Sequence, residues 1–100
     1  MAAVLEAARI LRPHAFDFTV RFVAFSAEEW GLYGSKYYAS QARNRGEKII
    51  GVINLDMIAY ADAMPEDLEL FVNNDSEWLA QRFRSSARSY CGLQVNTIID

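Results

Sequence analysis

A chain of 100 residues has room for one small domain and one modest core, which excludes an elaborate multi-domain protein. Its composition, 52% apolar and 13% aromatic, is that of a packed globular protein and excludes a disordered one. A net charge of -3 offers no broad basic surface, which excludes general nucleic-acid or anionic-lipid binding, and a single cysteine, Cys91, excludes an internal disulfide or a multi-cysteine zinc site.

Residues 1–12, "MAAVLEAARIL" and the arginine after it, place Val4, Leu5, Ala8 and Leu11 on one helical stripe. No capping Ser, Thr, Asp or Asn precedes the stripe, and Glu6 inside it makes a poor signal peptide. The expected helix is therefore already running at the first residue, and the chain reads as a piece of something longer. A proline-containing connection, "RPHAFD", leads to a strand over about 19–25. A helix is expected from Ser35, whose hydroxyl suits its first turn, to about Asn44. Arg43 and Arg45 suit its negative end and Gly46 its C-terminal turn.

The stretch "KIIGVINLDMIAY" has the nearly unbroken apolar character of a strand covered on both faces. Pro65 and its acidic neighbours mark a turn before a further strand, "LELFV". Asp75 or Ser76 caps a helix that sets Leu79, Phe83, Ala87 and Tyr90 on one side and ends at Gly92. Arg82, Arg84 and Arg88 on that helix read as a solvated face. Cys91 reads as a small buried hydrophobe near the helix end, with a free reactive thiol as the alternative. The last strand is "QVNTII". No stretch approaches the roughly 20 apolar residues that span a bilayer. The alternation predicts an α/β protein: a layered αβα arrangement on a mostly parallel or mixed sheet, incomplete in this chain.

Two adjacent carboxylates, Glu28 and Glu29, follow the strand at 19–25, and Asp56 ends the apolar part of "IIGVINLD". In open α/β sheets, ligands bind beyond the carboxyl ends of parallel strands. If the two strands are neighbours, three acids share one crevice. Two unit charges about 4 Å apart at an effective dielectric near 20 repel by about 4 kcal/mol, a cost that a bound dication removes. Consecutive side chains on a strand point to opposite faces, so the two glutamates address one site only where the chain turns, and Gly31 and Gly34 permit a turn. One carboxylate could then ligate metal while the other handles a proton, a division that suits hydrolysis. The bland reading of the pair is a solvated loop; that of Asp56 is a carboxylate held by backbone amides at a strand end. Asn54, of the same strand parity as Asp56, could orient it.

The segments "VRFVAFSAEEWGLYGSKYYA" and "IIGVINLDMIAY" resemble the central part of the zinc-dependent aminopeptidases with two co-catalytic metals, the family of bacterial leucyl aminopeptidases and relatives of glutamate carboxypeptidase II. The resemblance joins an apolar strand, a paired glutamate, a Gly-Leu-Tyr-Gly-Ser turn and an Asn-Leu-Asp-Met strand end, and it covers almost the whole chain. It implies that residues 1–100 are part of a metallopeptidase catalytic domain truncated at both ends. It also implies two zinc ions in the complete domain, with Glu28 as general acid/base, Glu29 as a ligand to one zinc and Asp56 as a ligand to the other. The implied substrate is a peptide with a free amino terminus, and export of many such enzymes leans toward a secreted or periplasmic location.

The family's remaining ligands, a His and a bridging Asp upstream and a His downstream, have no counterparts here. His14 does not replace them: a strand of seven or eight residues is about 25 Å long and puts it at the far edge of the sheet, as a surface loop residue. Trp30 and Tyr33 read as packing residues around the turn. Two other readings stay open, a metal-free binding or receptor-type relative and a glutaminyl cyclase-like enzyme.

Overall fold

A computed structural model describes residues 1–58 and 67–100. The turn expected at Pro65 and the "AY" end of the apolar stretch, residues 59–60, lie outside the described residues. The chain divides into two compact units, Met1–Ile50 and Gly51–Asp100.

In the first unit, helix α1 spans Ala2–Leu11 and helix α2 spans Tyr33–Asn44. On α1 the half-buried residues are Ala3, Val4, Ala7, Ala8 and Leu11, while Leu5 is exposed, so the stripe is narrower than the apolar spacing suggests. Helix α2 buries Ala42 against its surroundings. Its end is built as the sequence predicts. The cap residue is Arg45, and Gly46 adopts the left-handed conformation at φ 65°. The Gly46 N–H bonds the Arg43 carbonyl, and the Glu47 N–H reaches back to Ala42, each at 3.0 Å. That pair of bonds satisfies carbonyls the helix would otherwise leave open, and glycine reaches the required φ without a Cβ penalty.

The start of α2 differs from expectation. The helix begins at Tyr33, two residues before Ser35, and the Ser35 hydroxyl donates to the Leu32 carbonyl at 3.1 Å instead of accepting from the first turn. The carbonyls of Ala27 and Ser26 accept from the N–H groups of Tyr33 and Gly34, so backbone takes the place of a side-chain cap.

In the second unit, strands β1 (Asp67–Val72) and β2 (Gln94–Ile99) pair in parallel with Asp67 opposite Gln94 and Val72 opposite Ile99. A short 3-10 turn, Asn74–Ser76, and helix α3, Glu77–Tyr90, connect them. Parallel neighbours need such a crossover, and the α/β class rests on this strand–helix–strand unit. Leu68, Leu70 and Val72 alternate with exposed residues on β1, as Val95 and Thr97 do on β2, and give the sheet one half-buried face. Helix α3 packs with both strands and turns Leu79, Ala80, Phe83 and Ala87 inward. Tyr90, expected on that side, is exposed, because the small Ala80 and Ala87 set the line of close approach. Capping also shifts by a residue or two: Asn73 Oδ1 accepts from the Ser76 N–H at 3.0 Å, and neither Asp75 nor Ser76 supplies the bond.

The strands expected at 19–25 and 48–56 are not in a ladder. A strand exists only with a hydrogen-bonding neighbour, and an apolar run states what the residues suit without supplying that neighbour. Val20, Phe22, Ile50, Val52 and Ile53 are accordingly exposed.

Candidate functional site

Residues 26–34 of the first unit form a tight reversal that leads into α2. Four backbone hydrogen bonds close it: Gly31 and Leu32 N–H to the Glu28 carbonyl at 3.0 and 2.9 Å, Tyr33 N–H to Ala27 and Gly34 N–H to Ser26, both at 3.2 Å. Three of its residues take left-handed backbone, Ala27 at φ 56°, Gly31 at φ 112° and Leu32 at φ 62°. For the two that are not glycine this costs about 1–3 kcal/mol each, and such strain concentrates where a site demands a fixed geometry. At Gly34 the demand is closeness: an added Cβ would stand 2.5 Å from the Ser26 carbonyl oxygen. The turn that two adjacent glutamates need is thus present, held by backbone bonds and one close approach.

The turn is anchored to the rest of its unit by side chains. Arg21 donates to Glu47 Oε2 at 2.5 Å and to the Tyr38 hydroxyl at 3.0 Å, and Phe25 meets Tyr38 edge to face with ring centres 5.6 Å apart. Arg45 pairs with the same carboxylate at 3.2 Å. Hydrogen bonding to Arg21, aided by the charges of Arg21 and Arg45, holds the Glu47 carboxyl below the usual glutamate range. The residues preceding the acids are therefore tied to the middle and the end of α2. Nothing in the sequence pattern announces this pairing, since the two partners lie 26 residues apart.

Glu28 and Glu29 are both exposed and stand with Phe25, Ser26, Ala27 and Trp30 around an open concavity of about 560 Å³. Neither carboxylate is hydrogen-bonded or ion-paired to a described residue of its unit, so both are free to accept from a ligand or a cation. Asp56 belongs to the second unit. It too is exposed, between Leu55 at 40% and Met57 at 92% accessibility, where the sequence predicts a strand covered on both faces. With no ladder over 48–56, no strand among the described residues covers it. Met57, next to it, has left-handed backbone at φ 49°, as Ala27 has next to Glu28.

Two further expectations are corrected. Trp30 is 80% exposed, and Tyr33 is exposed as well, so the turn does not pack on them. Cys91 caps the end of α3 as an exposed free thiol, because Ala87, one turn earlier, occupies the inward line. His14 is an exposed loop residue beside Phe16, and Arg82, Arg84 and Arg88 form a solvated face.

Exposed, unpaired carboxylate oxygens are hard donors of the kind zinc accepts, so the chemistry of Glu28, Glu29 and Asp56 fits a metal. Among the described residues, neither unit gathers three His, Cys, Asp or Glu side chains closely enough to hold an ion by itself.

Comparison with known proteins agrees with this chemistry. The description "Peptidase family M28" matches residues 1–99. Aminopeptidase YwaD of Bacillus subtilis is 38% identical over 73 residues, 72% of this chain and 16% of that protein. Leupeptin-inactivating enzyme 1 of Streptomyces exfoliatus is 36% identical over 102 aligned residues, covering 99% of this chain and 22% of its own length. A probable zinc metalloprotease of Phaeosphaeria nodorum is 38% identical over 63 residues, 63% of this chain and 13% of that protein. The chain thus spans less than a quarter of the length of these relatives, and no solved structure gives a significant match. With a match running from the first helix to the last strand, through the paired glutamates and Asp56, the chain belongs to peptidase family M28.

Proposed function

We propose that the protein containing this chain is a zinc-dependent aminopeptidase, and that residues 1–100 supply part of its catalytic domain. In the complete protein the parallel pair β1–β2 and the apolar runs at 19–25 and 48–56 join a layered αβα sheet, which brings the ends of those runs to one crevice. Glu29 and Asp56 would each hold one of two zinc ions, and Glu28 is the general acid/base. When bound, the zinc ions polarise the scissile carbonyl and lower the pKa of the attacking water. Glu28 takes the proton released in the attack and delivers it to the leaving amine. The substrate is a peptide with a free amino terminus, from which residues leave one at a time.

The observation that carries this reading is the reversal at 26–34, which offers two adjacent, unpaired carboxylates at the mouth of an open concavity. A solvated loop has no need of strained backbone beside its acids. The names of the relatives, aminopeptidase and probable zinc metalloprotease, support the same chemistry.

The test is mutational, in the whole protein. Glu28→Gln keeps the size and hydrogen-bonding shape of the side chain but cannot carry the proton; turnover falls by at least a hundredfold while zinc content stays near that of the parent. Glu29→Ala and Asp56→Ala lower zinc content as well as turnover. Full activity in the Glu28 variant would overturn its role, and unchanged zinc content in both others would overturn theirs.

A further inference from the structure

We propose that Ala27 is a positioning residue, whose left-handed backbone sets the direction from which the Glu28 carboxylate enters the concavity. This rests on the reading of Glu28 as acid/base. Up to Ser26 the chain runs toward the turn; at Ala27 φ becomes 56°, and the next residue is Glu28. On either side of Ala27 the chain is fixed. Gly34 lies so close behind Ser26 that no Cβ fits between them, and the Ala27 carbonyl is bonded to the Tyr33 N–H at the head of α2. The Glu28 carbonyl in turn accepts from both Gly31 and Leu32. With the flanking peptides immobilised, the conformation of residue 27 decides where the Cα–Cβ bond of Glu28 points.

A residue without a Cβ branch tolerates this conformation at a cost, Gly and Asn adopt it readily, and a β-branched residue is excluded from it. The three substitutions Ala27→Gly, Ala27→Asn and Ala27→Val therefore separate backbone handedness from side-chain size. They are compared in the whole protein, with Glu28→Gln alongside, by kcat, KM, zinc content and thermal midpoint. Ala27→Val is expected to keep its zinc and to lower kcat at least tenfold with KM changed less than twofold, while Ala27→Gly and Ala27→Asn lose less than threefold. A merely structural role would move the thermal midpoint of Ala27→Val and leave its kcat per folded molecule near that of the parent; that result overturns the proposal. Should Ala27→Val fail to fold, Ala27→Asn decides: a tenfold loss of kcat in a residue that keeps the left-handed backbone overturns it, and a loss under threefold supports it. If Glu28→Gln is fully active, the acid/base reading falls and this proposal with it; if Glu28→Gln is inactive and Ala27→Val active, only the positioning role of Ala27 falls.

Discussion

Gly34 shows how one residue type at one position fixes the geometry of its neighbours. It stands in the first turn of α2, where alanine ordinarily stabilises a helix by up to about 1 kcal/mol over glycine. Here an alanine Cβ would lie 2.5 Å from the Ser26 carbonyl oxygen and 3.0 Å from its nitrogen, and both are backbone atoms that cannot swing aside. Overpacking of this kind costs about 1–3 kcal/mol, which exceeds the gain in propensity. Gly34→Ala in the whole protein is thus expected to lower the denaturant midpoint and to reduce turnover beyond the loss of folded protein, since the reversal that holds Glu28 and Glu29 must open. A midpoint at or above that of the parent would show that Ser26 and Gly34 do not approach so closely. The sequence makes the turn legible through its glycines, but Ala27, Leu32 and Met57 carry positive φ without any such signal. At Ala27 and Leu32 the conformation goes with the backbone hydrogen bonds that close the turn, and residue type alone does not record it.

At the scale of elements, one exposed-to-half-buried ionic cluster links the approach to the turn with α2 in the first unit. Arg21 precedes the turn and Tyr38 lies within α2, while Glu47 and Arg45 lie just beyond the helix. Because the Glu47 carboxyl is held below its ordinary value of 4.5, the folded form binds its proton less readily than the unfolded form does. Its contribution to stability is therefore fully present above about pH 4.5 and is lost as the pH falls through the lower, folded value. The thermal midpoint of the whole protein followed from pH 7 to pH 3 is expected to drop on the acid side. Glu47→Gln is expected to start lower at pH 7 and to drop less steeply. Parallel curves for the two proteins would mean that the cluster contributes nothing measurable, the outcome common for exposed pairs.

The elements themselves were legible where local patterns suffice. Helix α2 ends at the predicted Arg45–Gly46 signal, and β1, α3 and β2 fall where the apolar periodicity puts them. Cap identities and inward faces shifted by a residue or two: packing turned Ala80 and Ala87 inward and left Tyr90 exposed, and a local bond from the Ser76 N–H made Asn73 the cap.

For the molecule as a whole, the two apolar runs raise a question of cover. Ile50, Val52 and Ile53 are 60%, 70% and 59% exposed, and Phe22 and Phe25 are also open. Burying a side chain of this size contributes about 1.5–3 kcal/mol, so five of them represent a stabilisation comparable with that of an entire small domain. A sequence that concentrates such residues around a candidate site is adapted to have them covered, and the sheet proposed for the complete protein covers both faces. Hydrogen exchange read by mass spectrometry on the whole protein distinguishes the possibilities. If the runs are central strands, peptides spanning 19–25 and 48–56 exchange as slowly as those from β1 and β2, and by at least a thousandfold more slowly than the loop at 13–18. Chelation of the zinc should then accelerate the amides of 26–34 and of 54–58 first, because those are the backbone segments that carry the proposed ligands. Fast exchange across 19–25 and 48–56 in the metal-loaded protein would remove the sheet, and with it the physical basis for gathering Glu28, Glu29 and Asp56 at one crevice.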